Sequence, residues 1–397
     1  MGDNREMKSE TKFKQTEIGL IPEGWEVKRL GDEIDLLYGK GLSSIKRVKG
    51  EFPVYGSNGV VGFHDEYLVK GPGVIIGRKG TVGAVKFSEK DFWPIDTTYF
   101  VKLKKSGNIR FWYYFIQTLN LNKMNSHSAV PGLNREQVYE LLKAIPRYEE
   151  QYAIAKILSG LDSKIGLNQQ MNKTLEAIGQ AIFKHWFVDF EFPNEEGKPY
   201  KSSGGEMVDN GELGKEIPKG WEVEGLLNFF SVIYGKNIST KDIMLNGKFP
   251  VFGGNGIIGY LNDYEYKEPV TLISCRGAAS GKIIITSPFS TVTHNSLVLL
   301  PKNERLNSYF MFNLLKMMNI IQFVTGSAQP QITIENLRSL KIIIPSNETL
   351  DKINPLIKCL FLSRFQNETQ IQTLSQLRDL LLPKLMSGKI RVPTGGD

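Results

Sequence analysis

An internal duplication constrains this chain of 397 residues more than any other feature. The motif Ile-Pro-x-Gly-Trp-Glu-Val begins at Ile21 and again at Ile217, and 10 of 20 positions are identical between 21–40 and 217–236. A second match, with 8 of 14 positions identical, joins 50–63 to 247–260. A repeat of about 200 residues at a nearly constant offset indicates one supersecondary module present twice. The sequence therefore predicts two copies of one fold.

Each repeat places short apolar segments, bounded by Gly, Asn or Pro, ahead of one long helix. This order predicts an α+β fold with two β-rich domains. The strand candidates are 74–76, 84–87 and 99–103, matched by 270–273, 282–286 and 297–300, and a shorter helix is expected at 109–119 and at 308–318. We divide the chain into a flexible N-terminus (1–20), a first β-rich domain (21–148), a central helix (149–190), a linker (191–216), a second β-rich domain (217–345), and a C-terminal helix with a tail (346–397).

Both long helices carry an apolar stripe, because apolar residues recur at steps of three and four. The first stripe comprises Ile154, Ile157, Leu158, Leu161, Ile165, Met171, Leu175, Ile178 and Ile182, and the second comprises Ile353, Leu356, Ile357, Leu360, Ile371, Leu374, Leu377 and Leu381. An amide interrupts each stripe, at Asn168 and Asn367. An Asn on a coiled-coil seam fixes register at a cost in stability. We expect the stripes to pack on each other, although each could instead pack on its own domain.

Two prolines complicate the second helix. Pro355 and Pro383 both lie inside its apolar period. Proline removes a backbone donor and disfavours a helix interior. The helix is therefore expected either to begin near Asn354 or to be kinked, and Gly388 is a plausible stop.

The charge distribution favours a polyanionic partner. The net charge is +7, but 21–148 carries 19 basic and 13 acidic side chains, 217–345 carries 12 and 8, and 191–216 carries 3 and 7. Two basic bodies joined by an acidic strip suit nucleic acid, although proteins without such a partner share this balance. The two cysteines cannot form a disulfide framework, and no secretory signal or bilayer-spanning run is present, so we expect a cytoplasmic protein.

Motifs for catalysis and for cofactors are incomplete. The segment from Arg276 to Lys282 is one residue short of a phosphate loop and precedes Ile283 instead of Ser or Thr. Glu196-Gly-Lys198 has the form of a nuclease motif but lies in the expected linker. His127 and His294 each lack the third group that a nucleophile and base would need. We expect no catalytic residues, no metal site and no cofactor.

Polar and basic loops occur at matching places in both repeats, but their side chains differ. Such side chains suit contacts with phosphates and with base edges. A tight hairpin, a solvated turn and independent drift of idle loops are the alternatives. The candidates for DNA contact are Lys40, Lys46, Arg47, Ser57, Asn58, Arg78, Lys79 and Thr81 in the first repeat, and Lys236, Lys241, Asn255, Arg276, Lys282, His294 and Gln329 in the second.

The quoted residues resemble the specificity (S) subunit of Type I restriction–modification enzymes over nearly the whole chain, 20–392. The resemblance rests on Ile-Pro-x-Gly-Trp in both repeats, on Pro53-Val-Tyr-Gly-Ser-Asn-Gly59 and its counterpart, and on the segments that end the two helices, 182–189 and 377–388. It implies two target recognition domains that each read half of a bipartite double-stranded DNA site. It also implies an antiparallel coiled coil that sets the half-site spacing, with a pseudo-two-fold internal repeat. Duplicated units of this kind should place the half-sites roughly 34 Å apart.

The resemblance implies partners as well. Two methyltransferase (M) subunits would dock on the chain and restriction (R) subunits on those, and S-adenosylmethionine, ATP and Mg²⁺ would belong to these partners. We expect Phe183, Trp186 and Phe187 to form docking surface, with core packing as the alternative. Two other classes stay open: a nuclease or methyltransferase with an unrecognised site, and a duplicated scaffold that binds protein or carbohydrate without DNA specificity.

Overall fold

The structure is a computed structural model that describes residues 12–124, 132–245 and 247–393. The chain divides into two compact units. Unit 1 comprises Met1–Leu167 with Gln370–Asp397, and unit 2 comprises Asn168–Thr369. Each unit therefore contains one repeat and a half of each long helix.

Both units contain the same order of elements, except that a 3₁₀ helix, Asn336–Ser339, stands in unit 2 where unit 1 has the short helix α3. In unit 1 these are β1 (Phe13–Thr16), β2 (Gly19–Pro22), β3 (Glu26–Arg29), α1 (Leu30–Glu33), β4 (Ile34–Tyr38), β5 (Phe52–Gly56), β6 (Gly59–His64), β7 (Gly73–Gly77), β8 (Val85–Ser88), β9 (Trp93–Pro94), β10 (Thr98–Leu103), α2 (Ile109–Gln117), α3 (Arg135–Tyr139), β11 (Leu142–Ile145) and the first part of α4 (Tyr148–Phe187).

Unit 2 begins within α4 and ends within the second long helix. Its further elements are β12 (Met207–Asn210), β13 (Lys215–Pro218), β14 (Glu222–Gly225), α5 (Leu226–Phe229), β15 (Phe230–Tyr234), β16 (Phe249–Gly253), β17 (Gly256–Leu261), β18 (Thr271–Ser274), β19 (Ile283–Ile285), β20 (Thr291–Val292), β21 (Ser296–Pro301), α6 (Ser308–Met317), β22 (Lys341–Ile344) and α7 (Asn347–Met386). The strands and the two shorter helices expected from the sequence are confirmed to within about two residues at each end.

A four-stranded antiparallel sheet organises each unit. Its order is β4-β10-β7-β8 in unit 1 and β15-β21-β18-β19 in unit 2. Because β4 and β7 both pair antiparallel with β10, they end at the same edge of the sheet, where β10 begins. A three-stranded sheet, β6-β5-β9 or β17-β16-β20, accompanies it. We call the edge where β4 and β7, or β15 and β18, end the loop end of that unit.

The shorter helix covers the central strand of each sheet. All residues of β7 are buried, so its apolar side chains need cover. Asn108 caps α2 by accepting from the backbone N–H groups of Arg110 and Phe111, and Asn307 caps α6 in unit 2. Large fully buried side chains form the cores, among them Trp25, Phe111 and Trp112 in unit 1 and Phe230 and Phe310 in unit 2.

The long helices pair antiparallel within each unit, as the family resemblance implies. In unit 1 the Arg378 guanidinium donates to Asp162 at 2.8 Å, while the earlier Glu150 bonds to the later Arg391. In unit 2 the Asn367 amide donates to the Asn172 carbonyl oxygen at 2.9 Å. Asn168 and Asn367 are both buried, as the interrupted stripes predict.

The seam itself differs from the expected stripe. Buried and half-buried residues of α4 occur at 154, 158, 161, 165, 168, 172, 175 and 179, which alternates steps of four and three. Ile157, Met171 and Ile178 were placed in the stripe but are about 40% exposed, and Leu356 and Leu377 of α7 are exposed as well. The error arose because Asn172 and Gly179, which are not large apolar residues, occupy seam positions. A search for apolar residues alone assigned their neighbours Met171 and Ile178 to the seam instead.

The prolines do not interrupt the second helix. α7 begins at Asn347 and continues through Pro355 to Met386, so a start near Asn354 is wrong. Ser346 accepts a hydrogen bond from the Thr349 backbone N–H at this N-terminus. In a helix of 40 residues each proline removes one backbone donor, which the packing of the remaining turns outweighs. Gly388, at φ 67°, follows the helix end as expected.

Two segments expected to lack regular structure contain hairpins. Within 1–20, residues 13–16 pair with 19–22, and within the linker 191–216, Met207–Asn210 pairs with Lys215–Pro218. Phe190 and Phe192 are buried in the core of unit 2, and Phe192 stacks on Trp221 at 5.1 Å. The repeat thus extends further toward its N-terminal end than identities alone indicate. Residues 1–11 of the expected flexible terminus lie outside the described residues.

The docking residues expected at the end of α4 belong to a core. Phe183 and Phe187 are buried, and both rings lie 5.4 Å from the Phe310 ring of unit 2. Trp186 is partly buried against the same cluster. The docking hypothesis is therefore wrong for the two phenylalanines, because α6 of their own unit covers them.

Candidate nucleic-acid interface

The loop end of unit 1 gathers segments that are far apart in the sequence. The backbone after β4 lies against the segment before β10, because the Lys40 N–H donates to the Pro94 carbonyl at 3.0 Å. The backbone after β7 lies against two segments, since the Arg78 N–H donates to Thr97 and the Leu133 N–H donates to Arg78. Three loops and the start of α3 therefore form one surface.

Arg78 is fixed on this surface. Its guanidinium Nε and Nη2 donate to the Asp96 carbonyl at 3.2 and 2.7 Å. The same guanidinium lies 5.2 Å from the centre of the exposed Tyr38 ring. Arg135, which begins α3, lies 5.1 Å from that ring. A cation over an aromatic face is attracted by the ring quadrupole, so Tyr38 holds two guanidinium groups at the loop end.

Tyr99 supports this cluster from below. Its ring centre lies 5.0 Å from that of Tyr38, and its hydroxyl donates to the Leu133 carbonyl at 3.1 Å. Burial, together with a hydrogen bond to Tyr38, raises the pKa of Tyr99 to about 12. Tyr99 therefore stays neutral at every physiological pH, and the positive charge of the two arginines is not offset by a phenolate.

The glycine turn between β5 and β6 lies beside the same surface. A Cβ on Gly77 would meet the Ser57 backbone at 3.0 Å, and one on Gly80 would meet the Ser57 hydroxyl at 3.2 Å. Asn58, Lys79 and Thr81 are exposed on these two turns. The structure thus brings together the amide, hydroxyl and cationic side chains expected there.

The other cationic candidates of unit 1 are two exposed lysines and one half-buried arginine. Lys40 is exposed, with its ammonium 6.0 Å from the centre of the Trp93 ring, and Lys46 is exposed in a 3₁₀ turn. Arg47 is half-buried and donates to the Val61 carbonyl at 2.6 Å, which fastens the loop 41–50 to β6. Arg47 therefore already makes a structural contact, and any contact with DNA would have to form in addition to it.

The loop end of unit 2 repeats the backbone frame with other side chains. Ser274 and Ser296 are strand partners, as Gly77 and Thr98 are in unit 1. Cys275 therefore stands where unit 1 has Arg78, and His294 stands where it has Asp96. The Cys275 thiol donates to the His294 carbonyl at 3.6 Å, and burial raises the pKa of this thiol.

The expected polar residues of unit 2 also meet. The Lys282 ammonium donates to the carbonyl and side-chain oxygens of Asn255 at 3.0 and 3.2 Å. Arg276 is exposed and its backbone pairs with Gln331, next to the exposed Gln329. The His294 N–H donates to the Lys236 carbonyl at 2.8 Å.

Lys236 and Lys241 complete the candidates of unit 2. The Lys236 ammonium lies 3.8 Å from a Glu265 carboxylate oxygen, so part of its charge is neutralised. Lys241 is exposed on the loop after β15, and its backbone N–H donates to the Ser239 hydroxyl.

Buried hydroxyl groups line the loop end of unit 2. The side-chain oxygens of Ser274, Thr293 and Ser296, together with His294 Nδ1, have no hydrogen-bond partner among the residues that the structure describes. In unit 1 the corresponding Thr98 donates to the Ile95 carbonyl at 2.7 Å. The loop end of unit 2 therefore contains buried hydroxyl groups, and it has Cys275 in place of Arg78.

Sequence reasoning missed the aromatic part of the interface. Tyr38 lies in the repeated segment 21–40 but was not singled out, and neither was Arg135. No local pattern joins positions 38, 78 and 135. The available signal was positional: Tyr38 ends β4, a strand that was not predicted, and Arg135 follows Asn134, which caps α3. His127, with Asn125 and Ser126, lies outside the described residues.

The described parts of the chain contain no group of three His, Cys, Asp or Glu side chains that could hold a metal ion. No helix among them has an apolar stretch sufficient to span a bilayer. A cavity of about 780 Å³ lies in unit 2 and is lined by Phe192, Tyr200, Trp221, Lys219, Thr349 and Lys352, among others. It is distant in sequence from the loop end.

Fold and surface together define a class of protein: a duplicated binding protein that presents two related loop ends with different chemistry. The family model for the Type I restriction modification DNA specificity domain matches residues 22–177 and 218–377. The chain belongs to this family and carries two copies of its domain.

Similar proteins carry the name of the same family, and a solved structure has a similar fold. The chain is 29% identical to the Type I restriction enzyme MjaIX specificity subunit of Methanocaldococcus jannaschii, over 96% of this chain and 97% of that protein. It is 25% identical to the HindI specificity subunit of Haemophilus influenzae, over 66% and 71%. The fold is similar to the crystal structure of the S subunit from M. genitalium, with a TM-score of 0.66 and 18% identity, over 91% of this chain and 96% of that one.

Proposed function

We propose that this chain is the DNA sequence-recognition subunit of a Type I restriction–modification complex and is not itself catalytic. Each loop end would bind one half of a bipartite duplex site. The observation that carries the proposal is the repetition of one backbone frame with different side chains at its exposed end. Direct readout depends on side chains that reach base edges, so two frames with different side chains suit two different half-sites.

The division of the chain follows from this role. Residues 21–148 and 217–345 would be the recognition domains, and the helices 149–190 and 346–390 would set the half-site separation, on the order of one DNA turn or 34 Å. Two M subunits would dock on the chain and R subunits on those, in the cytoplasm. The holoenzyme would be an ATP-dependent endonuclease and adenine methyltransferase, with its cofactors bound by the partner subunits.

The helices offer a surface for the M subunits other than the one expected. Apolar side chains outside the seam are exposed on α4 and on α7, namely Ile157, Leu167, Met171, Ile178, Leu356, Leu362, Leu377 and Leu380. Replacing Met171 and Ile178 together by Lys should weaken co-purification with the M subunit and leave the melting temperature unchanged. Unchanged co-purification would remove these two residues from the docking surface.

The test of DNA recognition uses the complex assembled with M subunits. Arg78→Ala and Arg276→Ala should each cost about 1–3 kcal/mol of binding free energy at moderate salt and relax a position of the site. The matched control is Arg29→Ala, because Arg29 is an exposed arginine paired with Glu140 away from the loop end. If both loop-end variants bind as tightly and as selectively as the wild type, these assignments are wrong.

Salt dependence separates this function from the alternative scaffold. DNA binding that neutralises phosphates weakens steeply as salt rises. A duplicated scaffold for protein or carbohydrate would lack salt-dependent DNA affinity in the assembled complex, and that result would contradict the proposal.

A further inference from the structure

The cluster of Tyr38, Arg78 and Arg135 at the loop end of unit 1 has a geometry suited to one kind of base. Both guanidinium carbons lie close to the same ring, at 5.2 and 5.1 Å from its centre. The two groups are therefore no more than about 10 Å apart, which is the rise of about three base pairs. Side chains so close together can address neighbouring bases of one half-site.

Arg78 keeps one edge of its guanidinium for a ligand. The side of the group formed by Nε and Nη2 is held by the Asp96 carbonyl. Nη1 and the second hydrogen of Nη2 have no partner among the described residues. The end of the guanidinium fork, formed by Nη1 and Nη2, is thus available to a ligand, while the Asp96 carbonyl fixes its Nε side.

Arg135 is held in the same manner. Its Nε donates to a Glu136 carboxylate oxygen at 3.2 Å, and neither of its Nη groups has a partner in the parts of the chain that the structure describes. Asn134 caps the start of α3 by accepting from the Glu136 N–H, which fixes the backbone from which Arg135 projects. Arginine loses less entropy on binding when its planar fork is already oriented.

Tyr38 positions both groups. It ends β4, its ring is about half exposed, and Tyr99 packs beneath it. Because both cations lie over this one ring, removal of the ring should release both forks while leaving their charges in place.

We propose that Arg135, together with Arg78, reads guanine in the half-site bound by unit 1, and that Tyr38 is the positioning residue. The inference rests on the proposed function. Guanine presents two acceptors, N7 and O6, on its major-groove edge, and the end of an arginine fork presents two parallel N–H donors that match them. A phosphate also accepts two parallel donors from an arginine fork, but that contact carries no sequence information, so discrimination between bases separates the two.

Unit 2 should not read guanine at the corresponding positions. Cys275 replaces Arg78, and Ile334 lies two residues after Ile332, as Arg135 lies two residues after Leu133. A buried thiol and an aliphatic side chain offer no fork. The half-site of unit 2 must therefore be read by other groups, such as the exposed Arg276. The guanine requirement that depends on the positions of Arg78 and Arg135 should be confined to the half-site of unit 1.

The experiment maps the methylated sequence in cells that carry the complete system, with wild type, Arg78→Ala, Arg135→Ala, Arg135→Lys, Tyr38→Leu and the control Arg29→Ala. Binding of the assembled complex to matched and single-substituted duplexes is measured in parallel. Arg135→Ala should reduce discrimination at one G·C position by about tenfold or more, and Arg135→Lys should restore it only in part, since an ammonium can donate to guanine but lacks the planar fork. Tyr38→Leu should relax the positions that both arginines read, and Arg29→Ala should change nothing.

Several results would overturn the inference. Uniform weakening on all sequences would make Arg135 a phosphate contact. Relaxed positions in different half-sites for the Arg78 and Arg135 variants, or retained discrimination in Arg135→Ala, would also exclude it. These outcomes differ from failure of the proposed function, in which the wild-type complex itself shows no sequence preference. Unchanged melting temperatures of the variants exclude misfolding as the cause.

Discussion

The two units share a backbone frame and differ in the side chains that it presents. In both, the strand before the cationic turn pairs with the same partner strand in the same register, Gly77 with Thr98 and Ser274 with Ser296. A backbone bond then ties the following residue to a distant loop, from Leu133 to Arg78 at 2.9 Å and from Ile332 to Cys275 at 3.1 Å.

Backbone hydrogen bonds stabilise this shared frame in both units. Such bonds do not depend on side-chain identity, so the loop end can change its chemistry without loss of the fold. Unit 1 presents two guanidinium groups on a tyrosine, while unit 2 presents a buried thiol and hydroxyl groups at the corresponding place. The cores should therefore respond alike to mutation, and the exposed ends should respond differently.

The largest loss of stability is expected for mutations in the cores, where the two units are most alike. Phe111 and Phe310 each occupy the third position of their helix, α2 or α6, and are fully buried. Replacement of either by Ala should cost about 3–5 kcal/mol of unfolding free energy, because a large cavity is left. Urea denaturation measures the loss, with Met171→Ala, an exposed position of α4, as the control. A loss below about 1 kcal/mol at only one of the two would break the equivalence of the cores.

A smaller effect, specific to unit 1, is expected for Arg391→Ala. Arg391 donates to both carboxylate oxygens of the buried Glu150, which also accepts from the Trp25 indole at 2.8 Å. The variant leaves a buried carboxylate without its cation and should cost about 2–4 kcal/mol, whereas Lys389→Ala should cost almost nothing. Unit 2 has Thr349 at this place. Equal stability of Arg391→Ala and wild type in chemical denaturation would show that Glu150 needs no cation.

A substitution in the helix seam of unit 2 should lower the unfolding free energy by about 1 kcal/mol. Asn367→Leu removes the donor to the Asn172 carbonyl oxygen and leaves a half-buried acceptor unpaired. Asn172→Leu combined with Asn367→Leu should recover the loss, since an apolar pair suits the seam. Thermal unfolding of the single and double variants tests this, and a double variant less stable than either single one would contradict it.

The smallest effect is expected to be stabilising. A methyl group on Gly179 would lie 3.7 Å from the Leu360 side chain, which is ordinary contact, so Gly179→Ala should raise the unfolding free energy by about 0.5–1 kcal/mol. Gly160→Ala, where nothing lies within 4 Å, isolates the contribution of helix propensity. Destabilisation by Gly179→Ala alone would mean that the seam of unit 2 is closer packed than the structure indicates.

Much of the fold could be predicted from the sequence, and particular residues show why. The strands around Ile75 and Val298 were found because they are continuous apolar runs between turn residues. The helices were found from their period, but Met171 and Ile178 were assigned to the wrong face. The period of an apolar pattern does not say which of two adjacent positions faces the partner when Asn172 and Gly179 hold the seam.

The duplication, the family resemblance and the order of the elements can be found in the sequence, because repeated motifs and periodic apolar positions are local properties of a chain. Which polar residues act together depends on the tertiary fold. Tyr38, Arg78 and Arg135 meet through strand register and a backbone bond between distant loops. Register is set by pairing across the sheet, and a shift of one residue would turn each side chain to the opposite face.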